Sequence, residues 1–426
     1  MTIDPAHYDG IARLARRIHG GRDASEHRDL AGTVWREFLD PLRDGEGRAI
    51  LEPIEEVTRL AVDAEAVALT DAPFETVHGL DAGTINPTTF RNGLVVDVAQ
   101  AAMAATPSDL DLHRHRTVVA SVHASDATAT VDDRWDRADE GYLRSRAIAA
   151  PRVSRFAEGV VHATALYLAE SEHALAHADA VGELLVLDGP IYPRGLLRWE
   201  DRHPELRTVL AEEQRPREVL ANYVRLVERF AESDRALVGF VKNPASKVIT
   251  RALSRADGPD LQPPWSDDAQ FFTRVLEQGE LVDDVEGRRW ERETGELTAT
   301  GWFRSRGGVD RVLSIHGDAL GVDRELDPAA YEVTFFALYD PRTDLLYRVE
   351  APWAIVADED RRERLTRWAL RSVAASRGAP EIIGKADELA RISAPEKAAL
   401  RETLEERFET TRDRSYDDRR WGEEFV

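Results

Sequence analysis

The sequence contains no cysteine and only 7% aromatic residues, and it lacks long hydrophobic runs. Without cysteine, no disulfide framework is available to the folded chain. No apolar run approaches the roughly 18 residues that a membrane-spanning helix needs. No basic segment followed by an apolar segment opens the chain at Met1, so we expect no signal peptide. These features predict a soluble protein without a membrane partner, located in the cytoplasm.

Positive charge is also scarce, because 79 acidic residues face 56 basic ones and leave a formal charge of −23. A charge of this sign repels a phosphate backbone. Most of the basic residues are arginines, and the lysines are Lys242, Lys247, Lys385 and Lys397. This composition resembles that of halophilic proteins, which work in salt so concentrated that the Debye length is about 3 Å. The net charge therefore does not exclude a DNA-binding function.

Changes in hydrophobic periodicity divide the 426 residues into segments. Helical spacing over Asp4–Asp40 and Pro53–Leu69 predicts an N-terminal helical appendage. A polar, proline-containing stretch later in the chain predicts an insertion or lid. The predicted segments are the appendage (1–70), a core (71–255), the insertion or lid (256–295), and strands and helices that complete the domain (296–426).

The core is predicted to be an α/β domain. Runs of β-branched and apolar residues predict strands, and longer stretches with helical spacing predict helices. In chain order these are strands over Thr76–Asp81, Gly93–Ala102 and Thr117–Ala124, a helix over Val153–Ala178, a strand over Leu184–Leu187, a helix over Pro216–Ser233 and a strand over Ala236–Val241. This order is typical of a ribonuclease-H-like fold, in which helices flank a mixed sheet. A further strand is predicted over Glu296–Arg304.

Two predicted strands carry an aspartate just before small residues, in GLDAGT (79–84) and in LDGP (187–190). In such positions Asp81 and Asp188 can project into an open cleft. Two carboxylates can hold Mg²⁺ or Mn²⁺, and such ions activate water and stabilise the leaving oxygen in phosphodiester cleavage. The alternative is that each aspartate only caps a turn.

A third carboxylate is expected from the long helix, where the candidates are Glu158, Glu170 and Glu172. A strand rises about 3.3 Å per residue and a helix about 1.5 Å. Counted from the connection near Asp179, Asp188 lies roughly 15 Å along its strand, which matches a residue about ten positions before the helix end. Glu170 fits best and Glu172 next, although any of them can equally belong to a solvated helix face.

The motifs together resemble NurA nucleases, particularly the haloarchaeal versions, over nearly all of the chain after residue 70. They are GLDAGT, ALYLAESEHAL, VLDGPIYPRGL, VGFVKNPASK, LYRVEAPW and GAPEIIGKADELARIS. The resemblance implies a ribonuclease-H-like fold, a homodimeric ring, and Mn²⁺-dependent exonuclease and single-strand endonuclease activity on DNA. It also implies partnership with a HerA-type ATPase in processing broken DNA ends. On this basis Asp81, Glu170 and Asp188 are expected to bind the metal.

One position departs from the family, because many members carry a histidine where this chain has Asp387. Asp387 can supply an oxygen ligand, but a carboxylate needs a large pKa shift to act as a general acid or base near neutral pH. The alternative is an exposed helix residue. Lys242 follows a predicted strand and is expected to contact the scissile phosphate, since a compact ammonium suits a single phosphate oxygen. His173 and His177 share a helix face but lack the HExxH arrangement of a zinc site.

Three functions remain open from the sequence. The first is a metal-dependent DNA nuclease with the residues named above. The second is a non-catalytic scaffold that keeps the fold and docks to the ATPase, an alternative that the change at Asp387 makes worth testing. The third is a ribonuclease-H-like enzyme that acts on RNA.

Overall fold

The computed structural model describes residues 5–15, 17, 24–126, 128–255, 262–284 and 287–414. The N-terminal region begins with two helices and continues with short strands. Its elements are α1 (Pro5–Ala15), α2 (Ala24–Glu37), β1 (Leu42–Arg43), β2 (Ala49–Pro53), β3 (Arg59–Asp63) and α3 (Ala64–Ala68). The helix predicted over Pro53–Leu69 is wrong except for the five residues of α3. Pro53 instead ends β2, and Arg59–Asp63 form β3. Both strands pair with strands far along the chain, and local periodicity does not reveal such pairing.

The central part of the chain contains the predicted succession of strands and helices, with small additions. Its elements are β4 (Val77–Thr84), β5 (Thr88–Thr89), β6 (Leu94–Thr106), β7 (Arg116–Ala124), β8 (Asp136–Ala138), β9 (Leu143–Ala149), α4 (Ala157–Ala176), β10 (Leu184–Asp188), α5 (Arg194–Leu197), α6 (Trp199–Arg202), α7 (Pro204–Glu212), α8 (Gln214–Glu232) and β11 (Ala236–Val241). Strand β4 continues three residues beyond the predicted end at Asp81, so this aspartate lies within the strand.

The remaining elements enlarge the sheet and cover it. They are α9 (Val248–Arg255), α10 (Asp268–Leu276), β12 (Gly279–Asp284), β13 (Gly287–Arg292), β14 (Glu296–Thr300), β15 (Phe303–Ser305), α11 (Val312–Ile315), β16 (Val333–Asp340), β17 (Leu345–Pro352), α12 (Trp353–Val356), α13 (Glu359–Ser376), α14 (Glu381–Ala390) and α15 (Ala394–Arg407). The single strand predicted over Glu296–Arg304 is two strands, β14 and β15, which both pair with β16. Within the predicted insertion, the described part holds α10, whose Phe271 and Phe272 are buried, and the hairpin β12–β13.

The strand order confirms the predicted mixed sheet flanked by helices. At its centre the order is β7–β6–β4–β10–β11, in which β4, β10 and β11 are parallel and β6 is antiparallel to β4. This is the ribonuclease-H-like arrangement. Strands β17 and β16 extend the sheet beyond β11, and β15 and β2 extend it further, so the N-terminal strands and the C-terminal part join one sheet.

Helices cover both faces of the sheet. Side chains alternate between faces along a strand. In β6, Asp97 contacts His162 of α4, whereas Gln100, three residues later, contacts the backbone of α14 at Ala390. Helix α4 therefore packs on one face and α14 on the other. In the part of the chain that the structure describes, no helix is both long and apolar enough to cross a membrane.

Candidate active site

Asp81 and Asp188 lie side by side on neighbouring strands. The parallel strands β4 and β10 pair in a register that places Leu80 opposite Leu187. The next residue on each strand is the aspartate, so both side chains are at the same level and on the same face of the sheet. Adjacent strands are about 4.8 Å apart. The sequence prediction that these two carboxylates meet is therefore supported by the register.

Two glycines of the GLDAGT motif bring a helix directly onto Asp81. A Cβ atom at Gly79 would lie 2.5 Å from the carbonyl oxygen of Ile382, and one at Gly83 would lie 2.5 Å from that of Ala390. No side chain fits at these distances, so α14 can approach β4 only because both positions are glycine. Asp81 stands between the glycines and on the same face, which is the face that α14 covers.

Among the three candidate glutamates of α4, Glu170 is the one whose ionisation responds to the two aspartates. Burial, and then the charges of Asp81 and Asp188, raise the pKa of Glu170. The other two candidates have different partners, because Glu172 forms an ion pair with Arg144 at 2.9 Å and the exposed Glu158 contacts Thr89 at 3.4 Å.

The Glu170 carboxylate accepts a hydrogen bond from a tyrosine that the sequence did not single out. The hydroxyl of Tyr223, on α8, donates to Oε2 of Glu170 at 2.9 Å, and the tyrosine is only 4% exposed. A buried tyrosine hydroxyl usually has a polar partner. The only sequence signal was a tyrosine on the apolar face of a helix, which is more often a core residue.

The acidic side chains perturb one another's ionisation. Burial, together with the charge of Asp188, raises the pKa of Asp81 to about 7. Burial and the charge of Asp81 raise the pKa of Glu170 to about 8. Burial also raises the pKa of Asp188, although Lys242 opposes that shift. Burial disfavours the anion of each carboxyl, neighbouring negative charge adds to this for Asp81 and Glu170, and an added cation would relieve it.

Lys242 follows β11 and reaches the site through Asp188. Its Nζ atom lies 2.7 Å from Oδ2 of Asp188, whose side chain is 10% exposed while that of Lys242 is 42% exposed. The ammonium is therefore within reach of the carboxylates and still accessible to solvent. This position is compatible with the predicted contact to a phosphate and adds an ion pair that was not predicted.

Asp387 lies on α14 over the same face of the sheet. Its side chain is exposed, and its charge contributes to raising the pKa values of Asp81 and Asp188. The residue that replaces the family histidine is thus close to the cluster, as the resemblance implies. Its exposure also fits the alternative of a solvated helix residue, so its role stays a prediction.

The donor atoms of this cluster suit a divalent cation with a preference for oxygen. Mn²⁺ and Mg²⁺ bind carboxylates well, and Asp81, Glu170 and Asp188 offer carboxylate oxygens that repel one another. Among the described residues, no three acidic or histidine side chains are arranged as a ready-made metal site. The carboxylates interact electrostatically, and they would have to move closer to one another to bind one ion.

The two helix histidines do not form a site of this kind. His173 is fully buried, and its Nδ1 atom is 2.9 Å from the hydroxyl of Thr117. Its ring packs against that of His177 with the centroids 4.5 Å apart. Burial lowers the pKa of both histidines, to about 4 for His177. They are packing residues beside the site.

A buried group of four charged side chains holds the loop that follows Asp188. Arg194 lies 2.6 Å from carboxylate oxygens of both Asp310 and Glu350, and Arg348 lies 2.7 and 2.6 Å from the same two residues. Glu350 also accepts a hydrogen bond from the backbone N–H of Ile191 at 3.2 Å. Removing one partner of such a group leaves a buried charge unpaired, at about 3–5 kcal/mol. The loop after Asp188 is therefore held by strand β17 and not by local contacts alone.

One family model and several solved structures are similar to this chain. The family model described as the NurA domain matches residues 75–392. No match is found among curated protein sequences. The crystal structure of the NurA nuclease from Sulfolobus solfataricus superimposes with a TM-score of 0.46 at 12% identity, covering 96% of this chain and 98% of that chain. A structure of NurA with manganese gives 0.38 at 12% identity over 79% and 89%, and one of NurA bound to dAMP and manganese gives 0.33 at 11% over 82% and 90%.

Proposed function

This chain belongs to the NurA family of nucleases, and we propose that it cleaves DNA with a divalent cation, Mn²⁺ or Mg²⁺, bound by Asp81, Glu170 and Asp188. The observation that carries this proposal is the pair Asp81 and Asp188, which lies at one level of the central sheet. Burial and the charge of Asp188 raise the pKa of Asp81, and burial and the charge of Asp81 raise that of Glu170. A family nuclease without such a cluster would have no evident means of binding the ion.

The protein's own side chains would divide the work as follows. Asp81 and Asp188 present oxygen ligands from two rigid strands, and Glu170 presents a third from α4. Lys242 is free to move from Asp188 to a phosphate oxygen of the substrate, since its ammonium is partly exposed. A bound divalent ion would supply a hydroxide nucleophile near neutral pH and stabilise the leaving oxygen.

Asp387 would complete this site in place of the family histidine. Its position on α14 lets it supply an oxygen ligand or orient a water molecule at the exposed side of the cluster. In this role the residue would act on the ion or on a water molecule.

The finer aspects of the function rest on family membership. We propose exonuclease activity and single-strand endonuclease activity, which would process DNA ends in double-strand break repair together with a HerA-type ATPase. We also propose a homodimeric assembly in the cytoplasm. The division into segments 1–70, 71–255, 256–295 and 296–426 is kept as a proposal, with the addition that β2 and β3 pair with β15 and β14.

The test is digestion of end-labelled single- and double-stranded DNA in high salt with Mn²⁺, Mg²⁺ or a chelator. We expect the wild-type protein to shorten the DNA in the presence of Mn²⁺, and we expect the Asp81→Asn variant not to do so. No digestion with any ion would contradict the proposal and favour the scaffold, and a strong preference for RNA competitor would favour the ribonuclease alternative.

A further inference from the structure

We propose that Tyr223 is a positioning residue for the metal site, because it holds the Glu170 carboxylate in the orientation that an ion requires. This inference rests on the proposed function. Its basis is the hydrogen bond from the Tyr223 hydroxyl to Oε2 of Glu170 at 2.9 Å. One oxygen of the carboxylate is thereby engaged by the protein, and Oε1 remains available to a cation.

The tyrosine is well placed to fix the glutamate because it is itself immobile. It lies on the apolar face of α8 and is 4% exposed. The preceding residue, Asn222, is buried as well and donates to Ser171 Oγ and Glu172 Oε1, both at 3.2 Å. Two consecutive residues of α8 thus bind three consecutive residues of α4, and this contact sets the register between the helices.

Without a fixed donor, the Glu170 carboxylate could turn between several orientations, because a glutamate side chain has several rotatable bonds. A donor fixed on the neighbouring helix opposes this movement. Partners behind the ligands of a metal typically contribute about 10–100-fold to its affinity.

The test is the affinity of the full-length protein for Mn²⁺, measured in the absence of DNA by calorimetry or by the paramagnetic resonance of the free ion. The variant is Tyr223→Phe, which keeps the buried ring and removes only the hydroxyl. We expect Mn²⁺ binding to weaken by about 10-fold or more. DNA cleavage should fall with it and recover when the Mn²⁺ concentration is raised, because the lost affinity is compensated by mass action.

The matched control is Tyr167→Phe. Tyr167 is one turn before Glu170 on α4, and its hydroxyl accepts a hydrogen bond from the backbone N–H of Gly195 at 3.0 Å. This variant also loses one hydroxyl, but Glu170 keeps its donor, so the affinity for Mn²⁺ should stay within about twofold of wild type. Circular dichroism and thermal unfolding establish that both variants are folded.

A double-mutant cycle separates the outcomes. In a Glu170→Gln background, Tyr223→Phe should not weaken Mn²⁺ binding further, because the tyrosine acts through the glutamate. The inference is wrong if the Tyr223→Phe variant binds Mn²⁺ like wild type. It is also wrong if Tyr223→Phe weakens Mn²⁺ binding by the same factor in the Glu170→Gln background as in the wild-type background. If the wild type itself binds no Mn²⁺, the proposed function fails instead.

Discussion

The acidic cluster should make the metal-free protein less stable than a variant that lacks one of its charges. Glu170→Gln replaces a carboxyl whose pKa is raised to about 8 with a neutral group of the same shape. The amide oxygen of glutamine can still accept the hydrogen bond from Tyr223. The variant therefore removes the charge and leaves the contact in place.

The direction of the change in stability follows from the pKa of Glu170 in the folded and in the unfolded chain. Below the ordinary value of 4.5, Glu170 is protonated in both the folded and the unfolded chain and does not influence stability. Between 4.5 and about 8 the unfolded chain is ionised while the folded site keeps its proton. The free energy of unfolding falls over this range by up to about 1.4 kcal/mol per pH unit. Above about pH 8 the loss is complete.

The full difference between the pKa of Glu170 in the unfolded chain, 4.5, and in the folded chain, about 8, corresponds to a loss of stability of at most about 5 kcal/mol. Relaxation and water penetration reduce such penalties in real proteins, so we expect Glu170→Gln to be about 2 kcal/mol more stable than wild type at pH 9. An unfolding entropy of roughly 2 cal/mol/K per residue converts this to a midpoint about 2 °C higher for a chain of this length.

Scanning calorimetry at pH 5 and pH 9, in a chelator and at constant high salt, measures this difference. Adding Mn²⁺ at about 100 times its dissociation constant should stabilise wild type by about 2.7 kcal/mol and the variant by less, so the advantage of the variant at pH 9 should shrink. The control is Glu158→Gln, an exposed change on the same helix that should behave like wild type. An advantage of Glu170→Gln that is equal at pH 5 and pH 9 would refute the reasoning.

Four further outcomes are expected from digestion and binding assays. Asp81→Ala and Asp188→Ala should each abolish cleavage while circular dichroism and gel filtration stay unchanged; near-wild-type digestion would contradict the site. Glu158→Gln should cleave at the wild-type rate, whereas Glu170→Gln should be far slower, and the reverse ranking would show that α4 is misassigned. Lys242→Met should slow cleavage about 10-fold or more and leave Mn²⁺ binding equal or tighter, because a competing cation is removed; weaker Mn²⁺ binding would oppose this. Asp387→Asn should lose activity that excess Mn²⁺ partly restores, and Asp387→His should retain it; if both cleave like wild type, Asp387 is only a surface residue.

Features that depend on neighbours in sequence were predictable. Strands β4, β6, β7, β10 and β11 and helices α4 and α8 follow from local periodicity. The choice of Glu170 over Glu158 and Glu172, made from the rise per residue of a strand and a helix, stays a prediction. The helix predicted over Pro53–Leu69 was wrong because this part of the chain depends on distant partners. Strands β2 and β3 pair with β15 and β14, which lie more than 230 residues further along.

The supporting contacts of the site could not be predicted because they join distant segments. Tyr223 reaches Glu170 across two packed helices, and no spacing in the sequence indicates that contact. The sequence gives a partial indication of the charged group around Glu350, because Arg348 and Glu350 lie two residues apart within the apolar strand β17. Both side chains are buried. A charge inside an apolar strand implies a partner, but the sequence does not say that this partner is Arg194 beside Asp188.

Asp387 changes the electrostatics of the carboxyl groups around Asp81 and Asp188. A neutral histidine at this position would bind Mn²⁺ without adding charge, whereas Asp387 adds negative charge that raises the pKa values of Asp81 and Asp188. The metal-free site therefore holds protons more tightly than one with a histidine would. An ion bound at the proposed site must displace those protons, so the aspartate would strengthen the attraction for the cation and would also make its binding depend more steeply on pH. The substitution is thus consistent with a working metal site whose affinity is set by pH and salt.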